Sequence, residues 1–132
     1  MFIRHCQPWF ITECYLQDML KRANQIKDQT KADNVSFIES QITNIELPDA
    51  AANCIISNCV INLVPEIEKQ QVFHEMYRIL KPGGRVAVSD ILAKQELPQK
   101  VKNNMALYVG CIAGASQVQD YEWYLKTAGF KG

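Results

Sequence analysis

The chain has 132 residues, 48% of them apolar and 21% charged, with 14 basic residues balancing 14 acidic ones. That length suits one domain around one core, and the composition excludes disordered and fibrous chains. A neutral balance removes any electrostatic pull toward nucleic acid or a membrane surface, and no apolar run approaches the roughly 20 residues of a bilayer span.

The stretch Met1 to Leu20 is interrupted by Gln7, Pro8 and Glu13, so it carries no h-region of a signal peptide, and a cytoplasmic protein is expected. From Leu16 to about Lys31, Leu16, Met19, Leu20, Ala23 and Ile26 recur at helical spacing and predict an amphipathic helix with one buried stripe. Asp33 and Asn34 supply turn chemistry, and Val35 to Ile38 then reads as a short strand. A polar connection closes on Leu47-Pro48-Asp49.

The run from Cys54 to Pro65 begins as a nearly continuous apolar strand and breaks into Ser57, Asn58 and Cys59. In open α/β sheets ligands bind outside the carboxyl ends of strands, so this turn is the first candidate site. A second amphipathic helix follows Pro65, with Ile67, Val72, Phe73, Met76, Tyr77, Ile79 and Leu80 on one face. Lys81-Pro82-Gly83-Gly84 stops it, and Arg85 to Leu92 reads as the next strand. A helical region around Val101 to Tyr108 comes next, and a last helix from about Val118 to Ala128 is expected with Ser116 as its N-cap and Gly129 as its stop. Alternating helices and strands imply a parallel sheet with helices on both faces.

The five cysteines, Cys6, Cys14, Cys54, Cys59 and Cys111, are odd in number, scattered, and include no C-x-x-C pair, which argues for reduced thiols and against a disulfide framework or structural zinc. Cys54 lies inside the apolar run and reads as core. Asp90 reads as a solvated carboxylate at a strand end. His5 and His74 have no motif partner.

The order of strand, Ser-Asn-Cys turn, helix, Lys-Pro-Gly-Gly, strand and Ser89-Asp90 resembles the carboxyl half of class I S-adenosylmethionine-dependent methyltransferases. Within them, Ile56 to Pro65 and Tyr108 to Ala115 look like the two cysteine segments of the arsenite methyltransferases. The resemblance implies methyl transfer from S-adenosylmethionine to trivalent arsenic, a small-molecule substrate held by Cys59 and Cys111, with a thiol reductant as co-reactant. It also implies that Ser57 and Asn58 face the cofactor's methionine end and that Ile42 and Thr43 flank its adenine. Soft trivalent arsenic is captured by thiolates, and its lone pair needs no base to remove a proton, so no acid-base residue is assigned and catalysis is expected to act by positioning.

The departures from that pattern shape the expected fold. No G-x-G-x-G occurs, Gln41 stands where an acidic residue is common, and no third arsenic-binding cysteine is assignable. Residues 1–132 are expected to form a single incomplete domain with residues 1–15 atypical: a partial Rossmann-like three-layer α/β sandwich with a mostly parallel sheet. It would lack the first strand with its glycine-rich loop and the last two strands, leaving two sheet pieces with open edges. Trp9 to Thr12 is a candidate improvised strand, with Glu13 near the position of the family's ribose-binding acid. The alternatives are a catalytically silent arsenic-binding or interaction module, and a methyltransferase for another small molecule.

Overall fold

The computed structural model describes residues 1–4, 10–13 and 17–131. Five strands form one sheet: β1 (Phe2–Arg4), β2 (Phe10–Glu13), β3 (Val35–Ile38), β4 (Ala52–Asn58) and β5 (Leu80–Ser89), in the order β3-β2-β1-β4-β5. The principal helices are α1 (Gln17–Thr30) between β2 and β3 and α2 (Glu66–Ile79) between β4 and β5. Two short helices follow, α3 (Gln99–Lys102) and α4 (Met105–Val109), and then α5 (Val118–Ala128). Among the described residues no helix is long and apolar enough to cross a membrane.

Four of the five strands run in one direction, because β2 pairs parallel with β3, β4 pairs parallel with β5, and β1 is antiparallel to both of its neighbours. The sheet is therefore continuous, contrary to the expectation of two pieces. Ile3 stands opposite Ile11 on one side and Ile55 on the other, so β1 satisfies both inner edges. Its direction follows from chain length, since a parallel neighbour of β2 needs a crossover of about a dozen residues and the connection from Arg4 to Phe10 is far shorter. The improvised strand runs from Phe10 to Glu13, and Trp9, like Leu16 at the start of the predicted helix, lies outside the described residues.

The core occupies one face of β4 and β5. Ile55 of β4 packs with Val72, Phe73, Met76 and Ile79 of α2 and with Tyr121 and Tyr124 of α5. The Phe73 ring meets Tyr121 edge-on at 5.2 Å and stacks on Tyr124 at 5.5 Å, which fixes α5 against α2. The stripe of α1 is not buried as expected: Met19 and Ile26 are 56% and 50% exposed, and Leu20 and Ala23 are half-buried, because α1 packs chiefly on β3.

Two element boundaries also differ from expectation. β5 begins at Leu80, which pairs with Ala52, and the ladder resumes at Arg85 opposite Cys54. Lys81 to Gly84 form an excursion inside the strand, where Gly83 takes φ 80°, a value that suits glycine. At α5 the cap is Gln117, whose backbone N–H donates to Asp120 Oδ2 at 3.1 Å in a reciprocal capping box. Ser116 is instead drawn inward by a buried lysine.

Glu75, only 5% exposed, ties α2 to the connection that leads from β3 to β4. Its Oε1 accepts from the Ile45 backbone N–H at 2.6 Å, and Arg78 clasps the carboxylate through Nη2 at 2.7 Å and Nε at 2.8 Å. Arg78 reaches on to the carbonyls of Ile45 and Leu47 and to Asp49. Burial alone raises the Glu75 carboxyl, but Arg78 and the Ile45 N–H more than offset it and hold it below the usual glutamate range.

Glu75→Ala leaves Arg78 and the Ile45 amide without their acceptor and is expected to cost about 2–3 kcal/mol in urea unfolding at pH 7. The depressed native carboxyl contributes stability above the unfolded glutamate value and loses it as pH falls through the native value. Wild type should therefore lose stability across that acid range, and Glu75→Gln should show a flatter profile there.

Candidate functional site

At the end of β4 the chain turns sharply at Cys59. Its backbone N–H donates to the Ser89 carbonyl at 2.9 Å, its φ is 51°, and Val60 leads into a 3₁₀ turn at Ile61–Leu63. Cys111 follows α4 and has φ 61°. Four non-glycine residues are described with positive φ, Lys31, Ala50, Cys59 and Cys111, so two of them are the predicted thiol pair. A left-handed conformation costs roughly 1–2 kcal/mol for an ordinary side chain, and such outliers persist where the surroundings over-determine them.

The two cysteines meet. The Cys111 thiol donates to the Cys59 carbonyl oxygen at 3.3 Å across 52 positions of sequence. Cys111 is buried and Cys59 half-buried, and desolvation, aided by the neighbouring Cys59 and Asp90, raises the Cys111 thiol above the usual cysteine range. Cys54, expected in the core, is half-buried, and strand alternation puts it on the sheet face opposite Ile55.

Three side chains hold this corner. Asn62, in the 3₁₀ turn and fully buried, donates from Nδ2 to the carbonyls of Ile91 at 2.7 Å and Cys111 at 3.2 Å. Lys69 of α2, also fully buried, donates to Glu66 at 2.7 Å, to the Gly114 carbonyl at 2.5 Å and to Ser116 Oγ at 2.7 Å. A Cβ on Gly114 would stand 1.9 Å from the Asn62 carbonyl oxygen, so only glycine permits the approach of the two segments. Asp90 is not the solvated carboxylate expected, since Tyr121 of α5 donates its hydroxyl to Oδ2 at 2.7 Å. Burial raises the Asp90 carboxyl above its usual range, and the Tyr121 bond and the nearby N–H groups of Ile61 and Cys59 offset this only in part.

Sequence reasoning passed over Lys69, although its signal is present. It lies three, four and seven positions before Val72, Phe73 and Met76, on the buried stripe of α2, and a lysine at a core position requires partners. Tyr121 carries a weaker signal, a buried phenol that needs an acceptor.

The other predicted residues divide into two sets. Ile42 and Thr43 line a cleft of about 470 Å³ with Val60, Leu63 and Val64 from the Cys59 turn, which brings the connection after β3 against the turn after β4. Ser57 and Asn58 occupy the end of β4 but diverge: Ser57 is fully buried with no hydrogen-bond partner for its Oγ among the described residues, and Asn58 is exposed on the other face. Glu13 closes β2 opposite Ile38, at the same end of the sheet. The apolar walls of Ile42, Val60, Leu63 and Val64 suit a planar heterocycle such as adenine. β1 stands where the resemblance would put the strand that bears a glycine-rich loop.

Comparison with known proteins gives consistent results. A family model described as Methyltransferase domain matches residues 15–129. An arsenite methyltransferase of Halobacterium salinarum is 41% identical over 114 residues, which cover 86% of this chain and 29% of that protein. An arsenite methyltransferase of Mus musculus is 38% identical over 103 residues, covering 76% and 27%. The crystal structure of an arsenic(III) S-adenosylmethionine methyltransferase from Chlamydomonas reinhardtii superposes with a TM-score of 0.77 at 31% identity, covering 90% of this chain and 42% of that one. The chain thus spans less than half the length of each of these relatives.

The raised Cys111 thiol has a direct consequence. A thiol above its usual range is protonated at neutral pH and alkylates slowly. Mass mapping after iodoacetamide treatment at pH 7 should find half-buried Cys59 modified before buried Cys111, with Cys111 modification speeding up as pH rises and the difference vanishing in denaturant.

Proposed function

Because the chain belongs to the methyltransferase domain family, we propose that it provides the arsenic-binding wall and the adenine side of the cofactor cleft in an enzyme that methylates trivalent arsenic. The observation that carries this reading is the pairing of Cys59 with Cys111, two thiol residues 52 positions apart, the thiol of one held on the backbone carbonyl of the other. The resemblance of the chain to proteins named as arsenite methyltransferases supports it.

The chemistry follows from the donor set. Each thiol condenses with an As–OH group of arsenous acid: an As–S bond forms, an As–O bond breaks, and the thiol proton leaves with the hydroxide as water. Two such steps give a dithiolate hydroxyarsine, with the lone pair retained on arsenic. S-adenosylmethionine supplies an electrophilic sulfonium methyl and a neutral thioether leaving group. The chain's task is to hold the arsenic still and exclude water.

In this reading Ile42 and Thr43 flank the adenine, and the end of β4 at Ser57 and Asn58 faces the methionine portion. The divergence of Ser57 and Asn58 narrows their part: exposed Asn58 can offer its side chain, whereas Ser57 offers backbone groups. A reduced, cytoplasmic setting with a thiol reductant follows from the need to keep both cysteines free.

Calorimetry with arsenite and, separately, with S-adenosylmethionine tests the reading, on a background in which Cys6, Cys14 and Cys54 are replaced by Ser. Cys59→Ser and Cys111→Ser should each weaken arsenite binding by at least about tenfold, because each removes one arm of a chelate, and should leave cofactor binding within error. Unchanged arsenite affinity in both variants contradicts the thiol pair.

A further inference from the structure

We infer that Asn62 is a positioning residue that sets the span between the Cys59 and Cys111 thiols and so makes them a chelating pair. The inference rests on the arsenic-binding reading and adds to it a residue that touches neither thiol.

Asn62 lies three positions after Cys59, in the 3₁₀ turn at Ile61–Leu63, and it is fully buried. It meets the second cysteine segment twice. Its side-chain Nδ2 donates to the Cys111 carbonyl at 3.2 Å, and its own carbonyl lies so close to Gly114 that a Cβ there would be 1.9 Å away. The second N–H of the amide goes to the Ile91 carbonyl at 2.7 Å, two residues past the end of β5. One side chain therefore joins the turn after β4, the chain leaving β5, and the segment that carries Cys111. Holding the Cys111 carbonyl also holds the peptide plane of a residue in the left-handed conformation, at φ 61°, and with it the direction of its Cα–Cβ bond.

The same amide has an uneconomical feature. Its Oδ1 is buried with no hydrogen-bond partner among the described residues. A residue serving only packing would do better as an apolar side chain of similar shape, because an unpaired buried acceptor is costly. What Asn offers here is two divergent N–H donors at one point, which Asp and Leu lack and Ser supplies only in part.

Chelation depends on the effective concentration of the second thiol once the first has bound, and that is set by geometry. Loss of the Asn62 clamp should leave each thiol reactive alone and weaken only ligands that need both. Phenylarsine oxide, which takes two thiols, and iodoacetamide, which takes one, separate these effects. On the Cys6, Cys14 and Cys54 to Ser background, Asn62→Asp should weaken phenylarsine oxide binding by at least about tenfold, with the Cys59 alkylation rate within about twofold of the parent.

Unchanged phenylarsine oxide affinity, or an equal loss in both measurements, overturns the inference. If Asn62→Asp does not give the circular dichroism spectrum of the parent, Asn62→Ser is judged by the same two readouts. Failure of the parent itself to bind phenylarsine oxide through Cys59 and Cys111 sinks the arsenic reading, whereas parent binding with indifferent Asn62 variants sinks only the role of Asn62.

Discussion

The ammonium of Lys69 is fully enclosed, and a buried charge is tolerable only where acceptors surround it. Glu66, the Gly114 carbonyl and Ser116 Oγ provide that shell, and two of the three belong to the segment after Cys111. Solvating one lysine therefore dictates where that segment lies. Glu66 is drawn into the same shell, and Tyr124 donates its hydroxyl to Glu66 Oε1 at 2.5 Å, so α5 is tied to the amino end of α2 by the same charge. Burial raises the Glu66 carboxyl, but Lys69, Tyr124 and Ser116 together bring it below the usual range, so it stays ionised at neutral pH. The polar scaffold and the Phe73–Tyr121–Tyr124 aromatic cluster thus fix α5 against α2 by independent means.

With that segment anchored at Gly114 and Ser116, Cys111 reaches the end of β4 in a left-handed conformation and meets Cys59 in the same conformation. The strain is local, and the anchors at Gly114 and Ser116 together with the Asn62 bond to the Cys111 carbonyl offset it. The Ile42–Thr43 wall of the cleft is held by a separate device, the Glu75–Arg78 network that pins Ile45 and Leu47 a few residues further on. The two walls are thus fastened to opposite ends of one helix, Lys69 near the start of α2 and Arg78 near its end.

Much of this was legible in the sequence because the relevant signals are local. The apolar runs of β4 and β5, the period of α2 and α5, and the two cysteine segments are readable from neighbours in the chain. β1 was not legible: its role as a filler between β2 and β4 depends on two pairings at long range, and three residues carry no period. Pro82 and the paired glycines read locally as a stop, whereas the ladder of β5 tolerates them as an excursion between Leu80 and Arg85. Ser116 was a reasonable N-cap by residue type, but Lys69 claims its hydroxyl and Gln117 takes the capping position. Asp90 reads as solvated from its neighbours alone because its partner, Tyr121, comes from a helix 31 residues away. In each case a tertiary contact overrode a local preference.

The central claim is that Cys59 and Cys111 together ligate one arsenic atom. Arsenic K-edge X-ray absorption of the arsenite-loaded chain, on the background with Cys6, Cys14 and Cys54 replaced by Ser, counts the sulfur neighbours directly. Two sulfurs per arsenic in that parent, falling to one in Cys59→Ser and one in Cys111→Ser, is the predicted result. An oxygen-only shell in the parent, or two sulfurs retained in either variant, would contradict it.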